Sequence, residues 1–204
     1  MSIKVDGEIT IDSEPCVIAW DNKLFVGTED GSIKVIIYEN NVEKAKYNVL
    51  EEVKDLWFYE SFLFTARDLD VTITEIKPEE SKTRFITRHT MEGRAPLRTT
   101  GSRLLIIARG GNNLRMHDGS IETKFKVLSE VKASDMIVTS MTVNNDEVWT
   151  AGWDGCIRRW KISGDKLEAA GEVNVGACVN ALVAGQDSVY AAISGGKIAR
   201  IKAS

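Results

Sequence analysis

Basic residues crowd the middle of the chain: Arg84, Arg88, Arg94, Arg98, Arg103, Arg109, Arg115, Lys124, Lys126 and Lys132. A guanidinium is a planar fork of donors that pairs with a carboxylate or a phosphate, so this band could take an acidic peptide, a phosphate group or an anionic headgroup. Glu92, Asp118, Glu122 and Glu130 offset it in part. Alternation along strands would spread these side chains over several surfaces, which favours a solvated face. Trp153 is the other feature with binding chemistry. It stands beside an Asp-Gly turn, and Trp and Arg are over-represented among residues that anchor interfaces. The competing reading lays its ring on a neighbouring element.

Catalytic patterns are missing. The chain has no Gly-x-Gly-x-x-Gly, no phosphate loop and no Gly-x-Ser-x-Gly elbow. Arg109-Gly110-Gly111-Asn112 has the composition of a phosphate cradle, yet it falls in a hairpin turn and does not open a helix. His89 lies in a polar connection and His117 sits where packing is expected. Two histidines and three cysteines (Cys16, Cys156, Cys178), without metal-ligand spacing, give no zinc site. No enzyme activity, cofactor or metal is therefore expected.

The elements that must position Trp153 and the arginines come from a repeat. Glu147 to Ile162 reads as an extended run, an Asp154-Gly155 turn and a second run that alternates apolar and polar residues, which is a β-hairpin. Four weaker copies align on it. With that unit they give five apolar anchors, Ile33, Val71, Leu114, Ile157 and Ile198, at steps of 38, 43, 43 and 41 residues. That is the period of a four-stranded propeller blade, about 40–45 residues. A gapless alignment gives a small column (Gly27, Thr65, Ala108, Ala151, Ala192) and a large column (Phe25, Leu63, Ile106, Trp149, Tyr190). Asp30, Asp68 and Asp154 share the turn column and are read as structural turn residues. The residues before the turn column, Glu29, Arg67, Gly110, Trp153 and Ser194, would stand on one rim. Innermost strands are expected at Val17–Trp20, Leu56–Tyr59, Leu97–Thr100, Ser140–Val143 and Val179–Val183. Outer strands are expected at Ala45–Val49, Arg84–Thr87, Thr123–Leu128 and Leu167–Val173, with loops at Pro78–Lys82 and Met91–Pro96.

The Glu147–Ile162 unit, with its Asp-Gly hairpin and closing Trp160, resembles a WD40 repeat. The resemblance runs from about Pro15 to Lys202 and is carried by the period. It implies an all-β, single-domain (1–204) propeller of about five four-stranded blades, near 16–50, 53–88, 95–129, 138–174 and 177–202. It also implies closure: the N-terminal segment 3–11, with Glu8–Ile11 as its strand, would join the last blade. Lys161 stands where the family has its Asp, and Ile36, Thr74, His117 and Ile201 replace the terminal Trp elsewhere. Phosphoinositide-binding propellers similar to this family carry Phe/Leu-Arg-Arg-Gly. The nearest string here, Ile157-Arg158-Arg159-Trp160, lacks the Gly and lies inside a strand, so that reading is set aside.

The totals agree with one globular domain: 204 residues, 43% hydrophobic and 27% charged. The net charge of −4 disfavours bulk nucleic-acid binding. No apolar run reaches the ~20 residues of a membrane helix. Unpaired cysteines fit an intracellular protein, cytoplasmic or nuclear. The expected function is a non-enzymatic scaffold that binds a partner protein or peptide, within a multi-subunit complex where it has one. Its contact residues would be Trp153, Arg67, Arg109, Arg94 and Arg98. The alternatives are a structural subunit whose incomplete propeller assembles with another chain, and a reader of acidic or phosphorylated ligands through a basic blade-three patch.

Overall fold

A computed structural model describes residues 7–20, 23–37, 42–49, 51–77 and 85–202. All regular structure among them is β. Blade one is β1 (Pro15–Trp20), β2 (Leu24–Thr28), β3 (Ser32–Ile37) and β4 (Val42–Asn48). Blade two is β5 (Asp55–Tyr59), β6 (Phe62–Ala66), β7 (Asp70–Ile76) and β8 (Phe85–Glu92). Blade three is β9 (Arg94–Thr100), β10 (Arg103–Ile107), β11 (Asn113–Asp118) and β12 (Val127–Lys132). Blade four is β13 (Val138–Asn144), β14 (Glu147–Gly152), β15 (Cys156–Ser163) and β16 (Lys166–Asn174), and blade five is β17 (Val179–Ala184), β18 (Val189–Ile193) and β19 (Lys197–Ile201). Every blade is an antiparallel meander in chain order. The first strands meet in succession, β1 with β5, β5 with β9, β9 with β13 and β13 with β17, so they line the axis of a five-bladed β-propeller.

Each blade buries one face on the blade that follows. Phe25 and Ile33 pack on Leu56 and Leu63, and Phe64 and Val71 on Leu97 and Ile106. Leu105 and Leu114 pack on Met141 and Val148, and Trp149 and Ile157 on Val179 and Leu182. Polar ties cross the same seams near the axis. Asp55 Oδ2 accepts from Leu97 N at 3.0 Å, Ser140 Oγ from Leu182 N at 2.8 Å and Thr142 Oγ1 from Ala184 N at 3.1 Å. An innermost strand exposes N–H groups on its axial edge, and side chains of the preceding blade satisfy them.

These faces correct the gapless columns. Residues paired across the hairpin with the five anchors are Gly27, Ala66, Ile107, Ala151 and Ala192. Five residues separate the pair in copies one, four and five, but four in copy two and six in copy three. A one-residue slip moves every side chain to the opposite face. Leu63 and Ile106 thus face the preceding blade, and the true large column is Phe25, Phe64, Leu105, Trp149 and Tyr190.

Closure by the N-terminal strand is also corrected. Glu8–Ile11 forms no strand, and blade five has three strands among the described residues. The residues that follow it are held on blade one, where Asp12 pairs with Lys34 and Glu14 O accepts from Glu29 N at 3.0 Å; residues 3–6 of the expected segment lie outside the described residues. No seam comparable to the other four joins β17 to β1 among the described residues. The column that is buried in blades one to four is open in blade five, with Tyr190 40% and Ile198 82% exposed. The Met91–Pro96 stretch is not a loop, since only Gly93 separates β8 from β9. The outer strand expected at Thr123–Leu128 starts at Val127, because Lys124 and Phe125 adopt left-handed φ of 54° and 53° and cannot extend. The loop expected at Pro78–Lys82 lies outside the described residues.

Burial on one side only makes the fifth member of the column cheap to remove. Phe64→Ala is expected to cost about 3–5 kcal/mol and Tyr190→Ala less than about 1 kcal/mol in urea unfolding. Equal losses would mean that Tyr190 is covered in solution.

Candidate functional site

Trp153 is set by its neighbours in the β14–β15 turn. Its N–H donates to Ile137 O at 3.0 Å. Gly152 permits this approach, since a Cβ there would lie 2.0 Å from the same oxygen. Asp154 ties the turn down. Its Oδ1 accepts from Cys156 N at 3.0 Å, and its Oδ2 from Asp135 N at 3.0 Å and Arg158 Nη1 at 2.7 Å. Burial alone would raise the Asp154 pKa; the Asp135 N–H, the Arg158 guanidinium and the Cys156 N–H outweigh it and hold the group at about 2. The indole is left 55% exposed above a rigid base.

Bordering this turn lies a cleft of about 480 Å³. Trp153, Arg67, Arg94 and Arg98 line it together, with Lys54 and Asp55. Blades two, three and four each contribute. Arg67 is fixed by Asp70 (Nε to Oδ1, 2.7 Å) and by Val49 O (2.6 Å). Arg98 is fixed by Asp55 at 2.8 Å and stacks on Trp57 with its guanidinium carbon 4.8 Å from the ring centroid. Lys54 pairs with Glu52 at 2.5 Å. Arg94 differs: half-buried, it has no hydrogen-bond or ion-pair partner among the described residues. Gly111, at φ 85°, opens room beside it, since a Cβ there would stand 3.5 Å from Arg94 Nη1 and 2.5 Å from Ile137 Cδ1. The arrangement offers three fixed cations, Lys54, Arg67 and Arg98, one uncommitted cation, Arg94, and an exposed indole.

No protein-family model matches the chain, and no curated protein does. Solved structures do match. Hsv2 of Kluyvelomyces marxianus aligns with a TM-score of 0.70 at 14% identity, covering 89% of this chain and 56% of that one. Hsv2p of Kluyveromyces lactis gives 0.71 at 12%, covering 93% and 62%. The computationally designed Ika8 protein gives 0.62 at 15%, covering 94% and 72%. At these identities the likeness is one of fold. The chain spans 56–62% of the two Hsv2 chains.

The remaining sequence-derived candidates fall elsewhere. Arg109 is exposed outside the cleft, 3.7 Å from Glu92. The basic band does not gather into one patch: Arg88 pairs with Glu75, Arg103 with Asp165, Arg115 with Glu130 and Lys132 with Asp135. Arg158 is held by Asp154 and Glu172, and Arg159 by Glu147 with its guanidinium over Trp149. Asp30 accepts from Thr28 Oγ1 at 2.6 Å and Ser32 N at 2.9 Å, which hold its pKa far below the usual range. Asp68 borders the cleft, and its neighbour Asp70 is the acid that pairs with Arg67. Sequence reasoning missed Lys54, Asp55 and the 137–140 segment. Asp55 was findable, because it opens an innermost strand one repeat before Leu97. Among the described residues no three His, Cys, Asp or Glu converge as metal ligands, and no helix is long and apolar enough to cross a membrane.

Acid should weaken the fold through two groups, His117 and Asp154. His117 is buried, its Nδ1–H donates to Phe125 O at 2.7 Å, and its Nε2 has no partner among the described residues. Burial lowers its pKa despite that bond, so the folded state keeps it neutral. The unfolded chain takes up this proton near pH ~6.5 and the folded chain only at a lower pH, so stability falls as the pH drops through that interval. Asp154 acts lower, its contribution being lost as the pH falls from about 4 toward the folded value. Denaturant curves at about pH 7.5 and about pH 5.5 should show wild type weakened at the lower pH and His117→Asn weakened less. The same loss in both proteins would place the sensitivity elsewhere.

Proposed function

We propose that this chain is a non-enzymatic, WD40-like interaction scaffold, working inside the cell, that captures a partner protein or peptide on the turn rim of its propeller. The observation that carries this reading is convergence. Trp153, Arg67, Arg94 and Arg98, far apart in sequence, line a single cleft. Three blades hold them, so little conformational entropy is lost when a partner docks. Trp153 supplies a large apolar surface and Arg94 a charge with no side-chain partner to displace among the described residues. The reading as a detector of acidic or phosphorylated ligands narrows to this cleft, because the other blade-three cations are mostly paired with acids.

A second reading, a structural subunit that assembles with another chain, is favoured by one observation. The blade-five members of the seam column, Tyr190 and Ile198, are exposed and no sheet among the described residues covers them, and Val183 beside Tyr190 is 60% exposed. Such a face is the kind that blades one to four cover with a neighbouring sheet.

Affinity capture with wild type beside Trp153→Ala and Arg109→Ala tests the first reading. Trp153→Ala should lower partner recovery by about tenfold or more, with Arg109→Ala unchanged. Recovery equal to wild type refutes the anchor role. Sedimentation tests the second: a stable monomer at micromolar concentration argues against it.

A further inference from the structure

A second cavity lies deeper along the axis and shares two residues with the rim cleft. It holds about 330 Å³ and is lined by Ile18, Trp20, Trp57 and Phe58, with Asp55 and Arg98 at its border with the rim cleft. Ile18 and Trp20 point away from the blade-one seam and are 67% and 60% exposed. Large apolar side chains left open inside a concavity are unlike those scattered on a convex surface, because water there is confined against apolar walls on several sides. The two cavities are chemically distinct. The rim has four cations, Lys54, Arg67, Arg94 and Arg98, against Asp55 and Asp68. The deeper one has the exposed Ile18 and Trp20 of β1 on one side and the Asp55–Phe58 stretch of β5 on the other. The Asp55–Arg98 pair forms their common wall and is itself braced, by Leu97 N on Asp55 and by Trp57 under the guanidinium.

We infer that the ligand of this site is an extended peptide segment that pairs an acidic side chain with a nearby bulky apolar one. The acid, a carboxylate or a phosphate, sits on Arg94 beside Trp153. The apolar side chain passes the Asp55–Arg98 wall into the vestibule of Ile18, Trp20 and Trp57. Charge complementarity selects the first residue, and the vestibule's continuity with the cationic mouth selects a partner that carries the second. A purely acidic segment leaves the vestibule wet, and a purely apolar one leaves Arg94 without a counter-charge.

This inference rests on the rim cleft being the binding site, and the test separates the two. The full chain is panned against a phage library of random twelve-residue peptides, in parallel with Trp20→Ala, Arg94→Gln and Arg109→Gln. Wild type and Arg109→Gln should enrich peptides in which Asp or Glu lies within a few positions of Leu, Phe or Trp. Trp20→Ala should keep the acidic preference and lose the apolar one. Arg94→Gln should do the reverse, and synthetic versions of selected peptides should lose about tenfold in affinity for each variant. Phosphoserine in place of the selected acid should bind at least as well, which identifies the anion seat as charge-selective. Selection by Trp20→Ala of the same peptides as wild type overturns the vestibule and leaves the rim reading standing. Absence of any acidic preference in wild type, or no enrichment at all, overturns both. Circular dichroism melts that match wild type confirm that the variants are folded.

Discussion

The seam between consecutive blades is the interaction on which the rest of this structure depends. A four-stranded antiparallel sheet has two faces, and neither is stable in water if both carry apolar residues. Here blades two, three and four each give one face to the predecessor and the other to the successor, so their residues alternate toward two neighbours instead of toward core and solvent. Phe64 and Leu63 show this directly: adjacent in sequence, both are buried, one against blade three and the other against blade one. The axial edge adds a second requirement. The first strands have no further strand beside them, so Asp55, Ser140 and Thr142 accept the N–H groups that a ladder would otherwise take.

That requirement also builds the cleft. Asp55 is needed to satisfy Leu97 N, and the same carboxylate oxygen holds Arg98 at the mouth of the axis. Asp154 is needed to close the β14–β15 turn, and closing it leaves Trp153 standing on the rim. Structural demands therefore fix most of the site before any ligand arrives. Arg94 is the exception, since no acid among the described residues offsets it. A half-buried charge without a partner bears a desolvation cost that an incoming anion relieves. The fixed residues set shape, and the uncommitted one sets the sign of what fits.

Much of the fold could be read from the chain because turns are local chemistry. Asp154-Gly155 announces a hairpin by itself, and five anchors at a near-constant step announce blades. Turn length was harder to read. Copies two and three differ from the others by one residue, in opposite senses, and both small columns look acceptable because Thr65 and Ala66 are alike in size. Only pairing across the strands reveals which of them faces the next blade. Closure was misread for a related reason: Glu8–Ile11 has the alternation of a strand, but Lys34 on blade one offers Asp12 a partner within the same blade's face. The cleft was half legible. Trp153 and the arginines stood out by type, whereas Lys54, just before β5, and Trp20 and Trp57, in innermost strands, have no distinctive sequence mark.

Position along the array then bears on dynamics. When each unit contacts only its neighbours, its stability is its own plus that of its seams. Among the described residues, blades two, three and four have a seam on both sides and blades one and five have one each, and blade five shows three strands where blade one shows four. Opening of the array by local unfolding should therefore begin at blade five, the unit with least apolar contact. The cleft is built from blades two, three and four, and the vestibule from blades one, two and three. Neither draws on blade five, so fluctuation at that end leaves the geometry of Trp153, Arg94 and Trp57 intact. A rigid binding surface and a weakly held last blade are thus compatible within one chain, because the seams that separate them do not transmit the opening of the end.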